Sequence, residues 1–485
     1  GVFEGNTRIR QVTLPDSVTR LGARAFYGCS SLREMEVPGK VAEIGEETFY
    51  GCTRLSQVSL VQNGALKEIR KQAFAMSGIT SISLPVNLTG LAADAFYADT
   101  NLRTVRVAAG NKVFQIKNDA LYNTGGDTLL YYPAGKGGLY EVPDQTVTIG
   151  DYAFAYTKCR EVVFPETLEV FGKSSFCNSY VTAAGIPKNV RTFGKDMFRG
   201  SRLESVAFAA DLKAEKLSDD MFSSCWNLKE VKIPENISEL GEEVFAYSSL
   251  KKVEFADGSR VSRIGYSAFT GCQIEEFHVP DAVTVIESST FYFCPNLKVL
   301  EFGPDSKCQT IGDYAFAECR QLEKLELPAK MSEIRSRSFW NSGLKEIRIG
   351  KGIATIQAGA FSHCQQLDTI TVDNENKVYT GKEGVLFNKE GTELLVYPAA
   401  KAGSYQVPDG VTRIREGAFA GASRLENIKF SDTLTEIEGY AFSECTSLNA
   451  PVFPTGLTTI GENAFEYCVS FEGEITVPKN VISVG

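Results

Sequence analysis

Apolar and polar positions along this chain obey a grammar that restarts at regular intervals, and phenylalanine marks each restart. The anchors are Phe3, Phe26, Phe49, Phe74, Phe96, Phe154, Phe176, Phe198, Phe222, Phe245, Phe269, Phe291, Phe316, Phe339, Phe361, Phe419, Phe442 and Phe465. Of the 17 intervals between them, 15 span 22–25 residues and two span 58. Such a clock is the signature of stacked coils, each touching only its neighbours.

Within each repeat the same elements return. Ile44-Gly45 precedes Phe49, Ile149-Gly150 precedes Phe154 and Ile311-Gly312 precedes Phe316. A small residue such as Ala25, Ala153 or Ala315 stands just before the ring. Five or six residues later comes LxxΦxΦP, where Φ is apolar, as at Leu32–Pro38, Leu228–Pro234 and Leu322–Pro328. Its period-two alternation predicts a short strand with one buried face, and the proline closes that strand because it cannot donate to a further ladder bond. A second extended piece, such as Val18–Leu21, leads to the glycine, which permits a tight bend. The Ala-Phe step reads as a single helical or 3₁₀ turn. The chain is thus expected to be one continuous β-rich repeat solenoid over residues 1–485. A single parallel sheet should line its concave face, with short turns or 3₁₀ segments on the convex side. The anchors would form a buried column, each contributing roughly 1.5–3 kcal/mol by transfer.

The two long intervals align with each other at a constant offset of 265, without gaps. Asn111-Lys112-Val113-Phe114 matches Asn376-Lys377-Val378-Tyr379, and Tyr132-Pro133 and Tyr140 match Tyr397-Pro398 and Tyr405. Apolar runs flank Thr124–Asp127 in one and Lys389–Thr392 in the other, which predicts hairpin-like insertions over 108–141 and 373–406. Either these carry Tyr132, Tyr140, Tyr397 and Tyr405 to a partner, or they are enlarged coils whose rings pack on the solenoid wall.

Nine of the 12 cysteines stand three residues after an anchor. Other repeats place Asn6, Ser77, Asp99, Thr157, Ser201 or Ala422 there, so the slot wants a small residue and the cysteines are expected as free, buried thiols. No C-x₂₋₄-C pair exists, and His278 and His363 are the only imidazoles, so no metal site is expected. The same scarcity leaves Ser-His-Asp, Cys-His and HExxH chemistry without material. Gly172-Lys173-Ser174 imitates the end of a phosphate-binding loop, but Thr167 stands where its first glycine is needed. Neither catalytic residues nor a cofactor are expected. A net charge of −10 argues against a nucleic-acid partner, and no apolar run approaches the roughly 18–20 residues of a membrane span.

The full pattern, I-G-x-x-A-F-x-x-C-x-x-L-x-x-Φ-x-Φ-P-x-x-V-T, resembles the BspA-like class of leucine-rich repeats, and Ile311–Pro328 is a near-ideal copy. The resemblance covers the whole chain. It implies a bacterial protein, secreted or displayed on the cell surface, of a class that includes adhesins for host matrix proteins. The chain opens inside one repeat and ends at the start of another, so a signal peptide and any anchor are expected outside this segment. The alternative is that the terminal coils are themselves modified repeats.

Binding is expected where the residues between the buried ones point outward on the strands. These are Glu230 and Lys232, Lys252 and Glu254, Glu276 and His278, Glu301, Lys324 and Glu326, and Glu346 and Arg348. Earlier repeats present small residues there, such as Ser81 and Ser83. The charges either neutralise one another and keep the face soluble, or recognise a protein ligand such as a host matrix or surface protein; the two roles are compatible. A spacer displaying another domain, or a glycan-binding solenoid using Trp226, Trp340 and the insert tyrosines, are the other readings.

Overall fold

The computed structural model describes residues 1–485, in strands, turns and connecting segments without a helix. It is a β-solenoid of about 20 turns. It divides into two compact units, Gly1–Ile237 with Glu254–Gly258, and Ser238–Val253 with Ser259–Gly485.

Two kinds of strand build each unit. In the first, Glu34–Val37, Gln57–Leu60, Ser81–Leu84 and Thr104–Val107 pair in parallel and in register. Period-two alternation makes them strands: Met35 and Val37 are buried while Glu34 and Glu36 face solvent. A second parallel ladder joins the two-residue strands Arg20–Leu21, Glu43–Ile44, Glu68–Ile69 and Gly90–Leu91. In the second unit the short ladder runs through Val285–Ile286, Thr310–Ile311, Glu333–Ile334 and Thr355–Ile356.

The long ladder is not the single sheet expected. In the second unit it breaks into pairs, Glu276–Val279 with Val299–Phe302 and Glu346–Ile349 with Thr369–Val372. The intervening Leu322–Pro328 forms no strand. It keeps the alternation, with Leu322 and Leu325 buried and Glu323, Lys324 and Glu326 exposed. The short ladder and the anchors already hold this coil, so its long segment need not pair to stay in the stack.

The anchor column is as regular as the sequence suggests. In the first unit the rings of Phe26 and Phe49 lie 5.4 Å apart at an interplanar angle of 2°. In the second, Phe316 stacks on Phe291 and on Phe339, both at 5.4 Å. These distances suit offset stacking of aromatic rings.

The Ala-Phe step differs from a helical or 3₁₀ turn. The residue two before the anchor and the residue two after it take left-handed backbones, as at Tyr314 (φ 54°) and Glu318 (φ 64°) on either side of Phe316. Each such non-glycine residue costs on the order of 1–2 kcal/mol, but the alternation turns three N–H groups toward the next coil. The amides of Tyr314, Phe316 and Glu318 donate to the carbonyls of Ser336, Ser338 and Trp340 at 3.2, 2.7 and 2.9 Å. A helix would direct those donors along its own axis and leave the coils unjoined there.

The cysteine slot completes this turn. All 12 cysteines are buried free thiols. Each of the nine in the repeat slot donates its thiol to the carbonyl of the preceding coil's anchor, as Cys52 does to Phe26 (3.1 Å) and Cys319 to Phe291 (3.1 Å). That carbonyl already accepts the amide of its own coil's slot residue, as Phe26 does from Cys29 at 3.0 Å. The thiol therefore fills a second lone pair in the interior. Burial pushes the Cys52 thiol up to about 12, which keeps it protonated as a donor.

The two 58-residue intervals add matching strands. Phe114–Lys117 pairs antiparallel with Ala120–Asn123, which pairs antiparallel with Thr128–Tyr131. Thr128–Tyr131 then joins Thr148–Ile149 in parallel, and Gly137–Glu141 joins Lys158–Val163. Tyr379–Lys382, Val385–Asn388, Glu393–Val396 and Gly403–Gln406 repeat the arrangement.

Candidate binding face

All eleven outward positions singled out on the long strands are exposed. Alternation sets this: along Glu346–Ile349 the isoleucines are buried and Glu346 and Arg348 stand clear. Within the second unit, parallel register places like positions of successive strands side by side. His278 faces Glu301, with its Nδ1 2.9 Å from the carboxylate. Lys324 lies 3.4 Å from Glu346, and Arg348 lies 2.8 Å from Asp373. Lys298 to Glu275 (3.6 Å) and Lys345 to Glu323 (2.6 Å) add further rungs. Each exposed pair is worth about 0–1 kcal/mol, so these rungs contribute little to stability and leave their charges accessible.

The break in the ladder opens a cleft within this face. It has a volume of about 770 Å³, lined by Lys298–Phe302 on one side and by Gln321, Glu323, Lys324 and Glu326 on the other. Glu301, Lys324 and Glu326 thus come together around one concavity, while Glu346 and Arg348 follow on the next strand. In the first unit, Glu230 and Lys232 are exposed on Glu230–Ile233. There Ser81 and Ser83 are half-buried, and Ala183 and Gly185 are exposed.

The insert tyrosines are not surface contacts. Tyr132, Tyr140 and Tyr397 are buried and Tyr405 half-buried. Tyr132 stacks on Phe154 at 5.2 Å and Tyr397 on Phe419 at 4.7 Å. Tyr140 and Tyr405 close on the same rings from the side, at 4.4 Å from Tyr132 and 4.8 Å from Tyr397. These rings occupy berths in the anchor column because each insert's last hairpin strand continues as a coil; packing takes the aromatic surface that a partner would need.

One structural pair escaped the sequence reading. Asn376 is fully buried, and its Nδ2 donates to the carbonyls of Gly350 (2.8 Å) and Ile353 (3.0 Å). Its Oδ1 accepts the amides of Val378 and Tyr379, both at 2.8 Å. Asn111 does the same for the first insert, joining Pro85 and Leu88 to Val113 and Phe114. The signal was the matched asparagine at the head of both inserts. No group of His, Cys, Asp and Glu side chains is arranged to hold a metal ion. No helix is long and apolar enough to cross a membrane.

Comparison with known proteins bears on this arrangement. The chain matches the BspA-type leucine-rich-repeat region in 6 copies, over residues 1–126, 147–272, 258–368 and 397–485. No curated protein matches it. Among solved structures, a leucine-rich-repeat protein of Bacteroides ovatus is similar at 22% identity over 73% of this chain and 85% of its own, with a TM-score of 0.46. One of Eubacterium ventriosum is 21% identical over 67% and 81%, with a TM-score of 0.44. A leucine-rich cell-surface protein of Faecalibacterium prausnitzii is 19% identical over 76% and 97%, with a TM-score of 0.39. With matched repeats spanning most of its length and the repeat turn visible coil by coil, this chain belongs to the BspA-type leucine-rich-repeat family.

Proposed function

We propose that this chain is a non-enzymatic scaffold, displayed at or beyond the cell surface, that binds a protein ligand through the outward residues of its long strands. One observation carries the reading. Glu301, Lys324 and Glu326, with Lys298 and Glu323 beside them, line a cleft of about 770 Å³ on this face. A ladder serving only for solubility needs charge on its surface but no concavity. Family membership supports a scaffold role and surface display; adhesion to a host or neighbouring-cell protein is the finer part of the proposal. The strands form one recognition surface per unit.

Charge reversal tests it. Lys252→Glu, Lys324→Glu and Arg348→Glu together alter only exposed side chains, so far-ultraviolet circular dichroism and the unfolding midpoint should barely move. Attachment of chain-coated beads to immobilised extracellular-matrix protein or mucin should fall sharply, and attachment by the unaltered chain should weaken with salt. Attachment unchanged by the triple reversal would leave the spacer reading in its place.

A further inference from the structure

The turn segments of the second unit form a groove that the strand face does not involve. It has a volume of about 380 Å³ and crosses turns from Tyr292 to Glu466. Its walls are aromatic: Tyr292, Tyr314, Trp340 and Tyr440. Its charged lining is lopsided, with Glu416, Glu444 and Glu466 against the one guanidinium of Arg337. Arg337 is engaged locally, its Nη1 donating to the Tyr314 hydroxyl at 2.7 Å, and it reaches Glu416 only at 3.8 Å. Glu444 has the imidazole of His363 at 3.7 Å, and Glu466 accepts from the Ser443 hydroxyl at 3.4 Å; neither pairs with a lysine or arginine. Burial holds His363 below its ordinary value, so it adds no charge at neutral pH.

The first unit shows what this chemistry holds when a cation is supplied. There the Arg24 guanidinium lies 3.7 Å from the centroid of the Tyr27 ring and pairs with both Glu4 and Glu47. Arg24 and Glu47 stand two before an anchor, as Tyr314, Arg337 and Tyr440 do in the groove, and Tyr27 and Glu4 stand one after, as Tyr292, Trp340 and Glu466 do. A cation over an aromatic face between carboxylates is a stabilising arrangement, because the ring quadrupole and the carboxylates both attract it. The second unit repeats the rings, the carboxylates and one arginine: Arg337 lies 5.9 Å from the centroid of the Tyr314 ring and on the Glu416 side, which leaves Glu444 and Glu466 without a guanidinium.

We propose that this groove is a binding site for a basic side chain, an arginine or lysine presented by an extended peptide of a partner protein. The carboxylates of Glu444 and Glu466 take the positive charge, and Trp340 and Tyr440 cover its flat or alkyl part. A glycan suits the site less well. Trp340 meets the His363 ring at 5.5 Å and 58° and is only half-exposed, so it offers no open platform for a sugar face. The site does not depend on the strand-face reading, and either can fail without the other.

With Trp226→Phe as background, Trp340 is the sole tryptophan and reports on the groove directly. The probe is an acetylated, amidated peptide with two arginines among glycines, compared with the same peptide carrying citrulline, which keeps the shape and removes the charge. The arginine peptide should shift Trp340 emission saturably, and the citrulline peptide should not. Glu444→Gln with Glu466→Gln should weaken binding about tenfold or more, and Glu416→Gln alone should give a smaller loss. Equal binding of the citrulline peptide, unchanged affinity in the double amide variant, or no saturable response to the arginine peptide would overturn the proposal. So would a neutral hexasaccharide that saturates the signal where the peptide does not.

Discussion

Phe316→Ala removes one ring from the middle of the anchor column of the second unit. The side chain is fully buried, and its ring is flanked on both sides at 5.4 Å by Phe291 and Phe339. Large-to-small substitution at such a site costs the lost transfer energy plus the cavity left behind, about 3–5 kcal/mol for phenylalanine. The upper part of that range applies here. The neighbouring coils are pinned by backbone bonds from Phe291 to Ala315 (2.9 Å) and from Phe316 to Ser338 (2.7 Å), so the site cannot collapse to fill the void. Phe293→Ala is the matched control: it lies two residues beyond an anchor, is 51% exposed, and should cost no more than about 0.5 kcal/mol. Stacked repeats transmit stability mainly to neighbours, so the reporter must be local. Trp340, one residue after the next anchor, serves when Trp226→Phe is the background. Urea unfolding followed by Trp340 emission should show a large fall in midpoint for Phe316→Ala and almost none for Phe293→Ala. A loss below about 1 kcal/mol, or equal losses in the two variants, would refute the stacked-column reasoning.

Three further outcomes follow from buried polar groups. Asp99 is fully buried, and burial holds its carboxyl well above the usual range although Ser77 donates to it at 2.6 Å. The native chain therefore keeps a proton that the unfolded chain releases above a pH of about 4. Stability from this group is full at low pH and declines as pH rises toward the folded-state value. Asp99→Asn should flatten that decline and stabilise the protein at neutral pH; an identical pH profile in both proteins would sink the reading. Asn376→Ala removes four backbone contacts at the head of the second insert and should cost about 2–4 kcal/mol, with faster hydrogen exchange confined to 376–398; unaltered exchange there would deny the clamp. Thiol titration without reductant should find all 12 cysteines after denaturation and almost none in the folded protein; a shortfall after denaturation would mean that some are paired.

Much of this fold is legible in the residues alone, because a repeat restates its constraints. One phenylalanine at one spacing is noise, but eighteen specify a berth, and LxxΦxΦP reports its buried face by period two. The cysteine slot was legible as small and buried, though not as a thiol donating to the previous anchor's carbonyl, since that bond crosses coils. Backbone detail was less accessible. The left-handed residues around each anchor are as varied as Tyr314, Arg337 and His363, so no side-chain preference announces them. The break at Leu322–Pro328 was hidden for the opposite reason: its pattern is close to ideal, and what differs is that its backbone joins no ladder. The insert tyrosines were ambiguous because an aromatic at strand spacing suits both a core and a contact. The groove was invisible because its residues come from turns between Tyr292 and Glu466, and only stacking brings them together.

The central claim is that, within each unit, the anchors occupy the same interior position in successive turns. Residue-resolved hydrogen exchange tests it most directly, because in most coils the anchor amide donates to the residue before the next anchor, as Phe269 does to Thr290, Phe316 to Ser338 and Phe442 to Ala464. Protection should peak at the anchors with a spacing of 22–25 residues, across both units, with the tyrosines of the inserts taking their places in the series. Protection gathered instead into a few contiguous blocks, with anchor amides such as those of Phe269, Phe316 and Phe442 exchanging as fast as exposed strand residues, would contradict the account.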